Sequence, residues 1–124
     1  MKVLLSIKPE YVSKILSGEK KYEFRKAVFK DPSVRTVVIY ATLPVGKVVG
    51  EFEIASILSD SPDSLWRKTR NFSGITRKFF DQYFADRDTA HAIEVKSVVE
   101  YEQPIELESL LPHKHPPQSF CYLA

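Results

Sequence analysis

Apolar positions along this chain switch between the period of strands and the period of helices, and the switches outline the fold. Val3, Leu4, Leu5 and Ile7 make residues 2–8 a short apolar run, which predicts a buried strand. Residues 9–17 read as a helix. Pro9 suits a first helical position, Val12, Ile15 and Leu16 share a stripe, and Glu10 and Lys14 are spaced i,i+4. Gly18 stands where a left-handed cap is wanted. The period then becomes two: Tyr22 and Phe24 point one way, and Lys21, Glu23 and Arg25 the other. Asp31-Pro32-Ser33 is a turn signal. Residues 35–42, built on Val37-Val38-Ile39-Tyr40-Ala41, alternate too little for an exposed face and predict a central strand.

After a turn at Leu43-Pro44-Val45-Gly46, residues 47–58 resume as a long strand. Val48, Phe52 and Ile54 share a face with Gly50, and Val49, Glu51 and Glu53 take the other. A glycine there points to a bend or a close backbone approach. Asp60-Ser61-Pro62-Asp63 opens a helix carrying Leu65, Trp66 and Thr69. Residues 71–75 break it, with Gly74 available for positive φ, and Thr76 caps a second helix with Phe79, Phe80, Tyr83 and Phe84 on one stripe. Residues 90–101 return to strand, and residues 104–111 hold at most a helical turn. The proline-broken tail excludes regular helix, with Phe120 and Tyr122 placed to tuck it against the sheet. The expected architecture is α+β: one domain over residues 1–124, a small barrel-like sheet of about five or six strands, an N-terminal helix and a helical insertion.

Composition narrows the function classes. At 124 residues the chain suits one domain. No apolar run approaches the ~20 residues of a membrane span, and the start is too short for a signal peptide. Cys121 is the only cysteine, so no intrachain disulfide forms, which fits a reducing cytoplasm. Net charge is only +2, but it is blocky. Residues 1–35 are rich in lysine and arginine, and residues 67–78 carry five basic side chains and no acid. Residues 51–63 and 81–108 are dominated by acids. Two basic blocks on one face would attract phosphates; a mixed solvated surface is the plainer alternative.

Lys20 is the first candidate for chemistry. It fits phosphate binding or, if desolvated, base or nucleophile duty, against the alternative of an ordinary surface lysine. Glu23 and Arg25, two apart on one strand face, suit a ligand clamp or a structural pair. Tyr40 and Thr42 share a strand face that leads either to the cavity or to the core. Lys8 adds a possible second cation, and Gln118 and Ser119 are polar tail residues placed to line a cleft. The aromatic stripe at residues 79–84 fits core packing or base stacking. His113, His115 and Cys121 match no standard zinc spacing, so no metal or other cofactor is expected. His91 shares the parity of Ile93 and Val95, as a buried, hydrogen-bonded histidine would.

The run Gly18-x-Lys20-x-x-Glu23-x-Arg25 resembles the signature of ASCH domains, small β-barrel modules similar to the PUA fold. The likeness extends from Leu5-Ser6-Ile7-Lys8-Pro9 through residues 46–53 to Pro117-Gln118-Ser119-Phe120. It implies a cleft lined by the motif that binds RNA or a modified nucleotide, and a role in regulating transcription or translation. The resemblance also offers two enzymatic readings. One is an amidohydrolase of acetylated cytidine, which uses the motif lysine, a threonine three residues on and a glutamate of the insertion. Here Lys20 matches, but Glu23 occupies the threonine position and residues 64–80 contain no Glu or Asp. The other is a ribonuclease. Lys20 and Glu23 would be the catalytic pair in a metal-independent hydrolase, and Lys8, Lys20, Glu23, Arg25, Tyr40, Thr42, Gln118 and Ser119 the ligand-binding set. A protein-interaction module with a basic face is the third class.

Overall fold

The computed structural model describes every residue except His113, Lys114 and Ala124. Its elements run β1 (Lys2–Ile7), α1 (Pro9–Ser17), β2 (Tyr22–Arg25), β3 (Thr36–Ala41), β4 (Lys47–Asp60), α2 (Pro62–Thr69), a 3₁₀ turn (Arg70–Phe72), α3 (Arg77–Tyr83), β5 (Ala90–Ile105), a second 3₁₀ turn (Leu107–Ser109) and β6 (Phe120–Leu123). The architecture is α+β, a barrel-like sheet with an N-terminal helix and a helical insertion. Local chemistry sets the helix ends. Pro9 occupies the first turn of α1, and Gly18 at φ 84° closes it by donating to the Ile15 carbonyl. Ser61 and Thr76 cap α2 and α3 through their side-chain oxygens.

The six strands lie in the order β2-β5-β4-β3-β1-β6. β1 and β3 run parallel, joined through α1 and β2, and every other pairing is antiparallel. The ladder ends at β2 and β6, so the barrel-like sheet is left open between these two strands. β1 and β3 are buried on both faces, which is why their sequences barely alternate. Val3, Leu5, Ile7, Val37 and Ile39 fill one apolar cluster, beneath α1. Leu4, Val38 and Tyr40 fill another with Val48, Leu107 and Leu111. A third, of Phe24, Leu65, Phe80, Phe84, Ala90 and Ala92, seats the helical insertion on the sheet. At Gly50 a Cβ would stand 2.5 Å from the Val99 carbonyl, a close approach that only glycine permits beside the register shifts of β4.

The structure departs from the sequence reading at several ends. β4 and β5 run on to Asp60 and Ile105, as the two arms of a long paired hairpin. Lys20 and Lys21 lie ahead of β2 rather than in it. The tail gains a strand: β6 pairs with β1 through Lys2↔Leu123 to Leu5↔Phe120. Four residues behind a run of prolines carry too little periodicity to be read alone, and the open edge of β1 makes them a strand. The proposed grouping of His113, His115 and Cys121 includes His113, which is outside the described residues. His91 is half-buried and shares a 2.7 Å hydrogen bond with Ser59 Oγ.

Candidate functional site

A cleft of about 190 Å³ opens where three parts of the chain meet. The end of β1 contributes Ser6, Ile7 and Lys8, and α1 contributes Tyr11. The motif contributes Lys20, Glu23, Phe24 and Arg25, and the insertion contributes Ile75, Phe79 and Tyr83. The aromatic stripe of α3 is thereby divided. Phe80 and Phe84 pack into the core against Phe24, while Phe79 and Tyr83, one residue earlier in each turn, face the cleft.

Lys20 is only 2% exposed, a large departure from an ordinary surface lysine. Its Nζ donates to the Ser73 carbonyl at 2.5 Å and lies 4.8 Å and 5.4 Å from the ring centroids of Phe24 and Tyr11. Burial pulls its pKa down to about 8; Glu23 opposes the shift and Lys14 adds to it. The loop after α2 makes this burial possible. Gly74 has φ +68°, and a Cβ there would fall 2.6 Å from Lys20 Cγ, so the lysine stem lies across a glycine. The Gly74 carbonyl accepts from Lys14 Nζ at 3.1 Å, beside the Ser73 carbonyl that holds Lys20. Sequence reading marked Gly74 for its backbone freedom but did not foresee its contact with Lys20.

Glu23 is 7% exposed, and burial raises its pKa against the pull of Lys20 and Arg25. Arg25 Nη1 donates to Glu23 Oε2 at 3.2 Å. Glu23 Oε1 accepts no hydrogen bond from the described residues, yet no deeply buried side-chain oxygen among them is without a partner. Oε1 therefore opens on the cleft. Arg25 also donates to the carbonyls of Ser6 at 3.3 Å and Ser119 at 2.5 Å. Its fork joins β2 to β1 and to the lead-in of β6, across the gap where the sheet is open. Most of the donors that a phosphate clamp would use are therefore committed to the protein.

The structure thus brings Lys8, Lys20, Glu23 and Arg25 together. Tyr40 lies elsewhere, buried in the cluster with Leu4 and Val48, because the alternation of β3 puts it on the face of Val38, opposite Val37, Ile39 and Ala41. Thr42 sits in the turn after β3, where its N–H donates to the Ile7 carbonyl. Gln118 is exposed in a bend outside the cleft lining, and Ser119 touches the site through its carbonyl alone. Residues that the sequence did not single out for the site include Tyr11, Ser73 and Ile75. Among the described residues no group of three or more His, Cys, Asp or Glu side chains is placed to hold a metal ion.

Cations crown the rings around this site. Lys8 Nζ stands 5.9 Å over Phe79, Lys26 Nζ 4.9 Å over Tyr83 and Lys21 Nζ 4.3 Å over Phe72. In each pair the first basic block supplies the cation and the insertion supplies the ring.

Comparison with known proteins gives a family. The ASCH domain family matches residues 5–103. The chain is 27% identical over 126 aligned positions to an ASCH domain-containing ribonuclease of Zymomonas mobilis, covering 97% of this chain and 82% of that protein. The crystal structure of ASCH from Zymomonas mobilis superposes with a TM-score of 0.90 at 27% identity, covering 99% of this chain and 87% of that one. Two Ureaplasma parvum proteins also match. One, named ATP synthase subunit alpha, is 35% identical over 122 residues, with 98% of this chain covered. The other, named large ribosomal subunit protein uL22, is 38% identical over 90 residues, with 73% covered. The chain spans only 15% and 29% of the length of these two proteins. With the domain matched over most of its length and the fold shared along nearly all of it, this chain belongs to the ASCH domain family.

Proposed function

We propose that this protein binds RNA or a modified nucleotide in the cleft between β1, α1, β2 and the helical insertion, in keeping with a role in transcription or translation. The observation that carries the reading is the convergence of Lys20, Lys8 and the open oxygen of Glu23 with the rings of Tyr11, Phe79 and Tyr83 in one small cleft. Cations meet phosphate, a carboxylate oxygen accepts from a base N–H, and aromatic faces stack a base. A cleft of about 190 Å³ is on the scale of one nucleotide unit. Lys8 and Lys20 are the ligand-facing cations of this reading, and Arg25 holds Glu23 in place.

The second reading is hydrolysis of RNA or of a modified nucleoside, with Lys20 and Glu23 as the reacting pair. It is favoured by the environment of Lys20. With a pKa of about 8, roughly a quarter of Lys20 is the neutral amine at pH 7.5, enough to accept a proton from a hydroxyl. The Zymomonas mobilis relative is itself named a ribonuclease. The acetylcytidine-amidohydrolase arrangement fits poorly, because the insertion presents Ile75, Phe79 and Tyr83 to the cleft and no carboxylate.

One experiment separates the two. The protein and its Lys20→Ala variant are incubated with short RNAs and modified nucleosides in the presence of EDTA. Products are followed by mass spectrometry and affinity by fluorescence anisotropy. Turnover that Lys20→Ala abolishes supports the hydrolase. Tenfold weaker affinity in the variant without turnover supports the binding module. Unchanged affinity and no product overturn both.

A further inference from the structure

Outside the cleft, one ring is left without a core. Phe72 is 45% exposed and belongs to none of the three apolar clusters. It is held nonetheless: the Lys21 N–H donates to the Phe72 carbonyl at 2.9 Å, and Lys21 Nζ stands 4.3 Å over the ring. These contacts fix its place relative to the cleft. Lys20 lines the cleft and its Nζ donates to the Ser73 carbonyl, and Lys21 and Phe72 are the immediate chain neighbours of these two residues. Lys21 thus begins one residue from the lining, about 3.8 Å along the chain, and Phe72 stands three residues before Ile75 of the lining.

On the insertion side the charge is of one sign, while Glu19 and Glu94 are the nearest acids on the Lys21 side, Glu94 standing next to Val95, whose N–H donates to the Lys21 carbonyl. Residues 64–80 hold no Glu or Asp. Lys21, Arg67 and Arg70 are exposed and make no ion pair with the described residues, whereas Lys68 and Arg77 are taken up by Asp60, Asp63 and Asp81. A half-exposed ring beside free cations is a poor place for an apolar protein partner. It suits a chain of linked anions that also carries flat faces.

We infer that the Lys21–Phe72 pair is a stacking platform for single-stranded RNA, taking a base next to the nucleotide held in the cleft. This rests on the cleft reading and deepens it: the partner is a strand rather than a free mononucleotide. The cleft has room for about one unit, and the platform has no use unless a second unit is linked to it. Base–aromatic stacking of this kind is tolerant of sequence, so the platform adds affinity without choosing the base.

The test compares two ligands on two proteins. A fluorescein-labelled single-stranded hexaribonucleotide and a nucleoside monophosphate are titrated into the wild-type protein and into Phe72→Ala, with Phe72→Tyr as a conservative control. Phe72 lies outside the core, so Phe72→Ala should unfold at the wild-type denaturant concentration. Expected is about a tenfold loss of hexanucleotide affinity in Phe72→Ala, near wild-type affinity in Phe72→Tyr, and unchanged mononucleotide affinity in both. Hexanucleotide affinity unchanged in Phe72→Ala overturns the platform while leaving the cleft reading intact. Equal losses for both ligands overturn it as well, since Phe72 would then serve the cleft itself. If the wild-type protein binds neither ligand, the cleft reading has failed, and the platform falls with it.

Discussion

At the scale of residues, the chemistry of this protein is concentrated in how Lys20 is held. Its stem crosses Gly74, its amine meets one carbonyl and two ring faces, and Lys14 is anchored to the adjacent carbonyl. The charged groups that bear on the amine are Lys14 from α1 and Glu23 from β2; the insertion contributes none. Lys20 is an ammonium below about pH 8 and an amine above it, so phosphate binding through Lys20 weakens as pH rises through 8 while any base role strengthens. Reaction of Lys20 with an amine-selective reagent, followed peptide by peptide with mass spectrometry, should show its midpoint near pH 8. Lys14→Gln removes a repelling charge but keeps a donor for the Gly74 carbonyl. The midpoint should move upward and reactivity at pH 8 fall about twofold. A midpoint that stays in place would show that Lys14 does not tune this amine.

Elements add what single residues do not show. α3 and its C-cap Phe84 are two-faced, with Phe80 and Phe84 in the core and Phe79 and Tyr83 in the cleft. The four rings appear in sequence as one stripe, because adjacent residues differ by only about 100° around a helix. The rotation of α3 on the sheet divides them. β2 and β6 are similarly related by something outside their own sequences. They end the sheet, and Arg25 bridges them by donating at once to Glu23, Ser6 and Ser119. A lysine keeps the charge but cannot reach three acceptors from one ammonium. Arg25→Lys should therefore cost about 2 kcal/mol in urea unfolding. It should also speed amide hydrogen exchange in β6 while β3, buried on both faces, keeps its protection. Equal protection of β6 in both proteins would mean that its pairing with β1 suffices without Arg25.

Across the whole molecule, the charge blocks of the sequence become a division of labour. Around the β4–β5 hairpin and the start of α2, cations are matched: Lys2 pairs with Glu51, Lys47 with Glu106, Lys68 with Asp60 and Lys96 with Glu53. Around the cleft, Lys8, Lys21 and Lys26 sit over aromatic rings and make no ion pair with the described residues. Affinity for single-stranded RNA should therefore depend on salt. With about three phosphates neutralised, it should fall roughly twentyfold between about 50 and 200 mM salt, and Lys8→Ala should lower the log–log slope by about 0.7. A flat salt response would place the nucleic acid, if bound at all, elsewhere. Much of this architecture was legible beforehand. The capped helix after β1, the doubly buried β3, the helical insertion and the Gly18-to-Arg25 motif are each written in local propensity, periodicity and spacing, which act between residues a few positions apart. The tertiary structure alone decided the rest. Lys20 is desolvated because a loop some 50 residues away lays Ser73 and Gly74 against it. Tyr40 faces the cluster of Leu4 and Val48 rather than the site, β6 exists because β1 offers an edge, and Arg25 is spent on joining strands. Each of these outcomes depends on a partner distant in the chain, and no local pattern records which partner that will be.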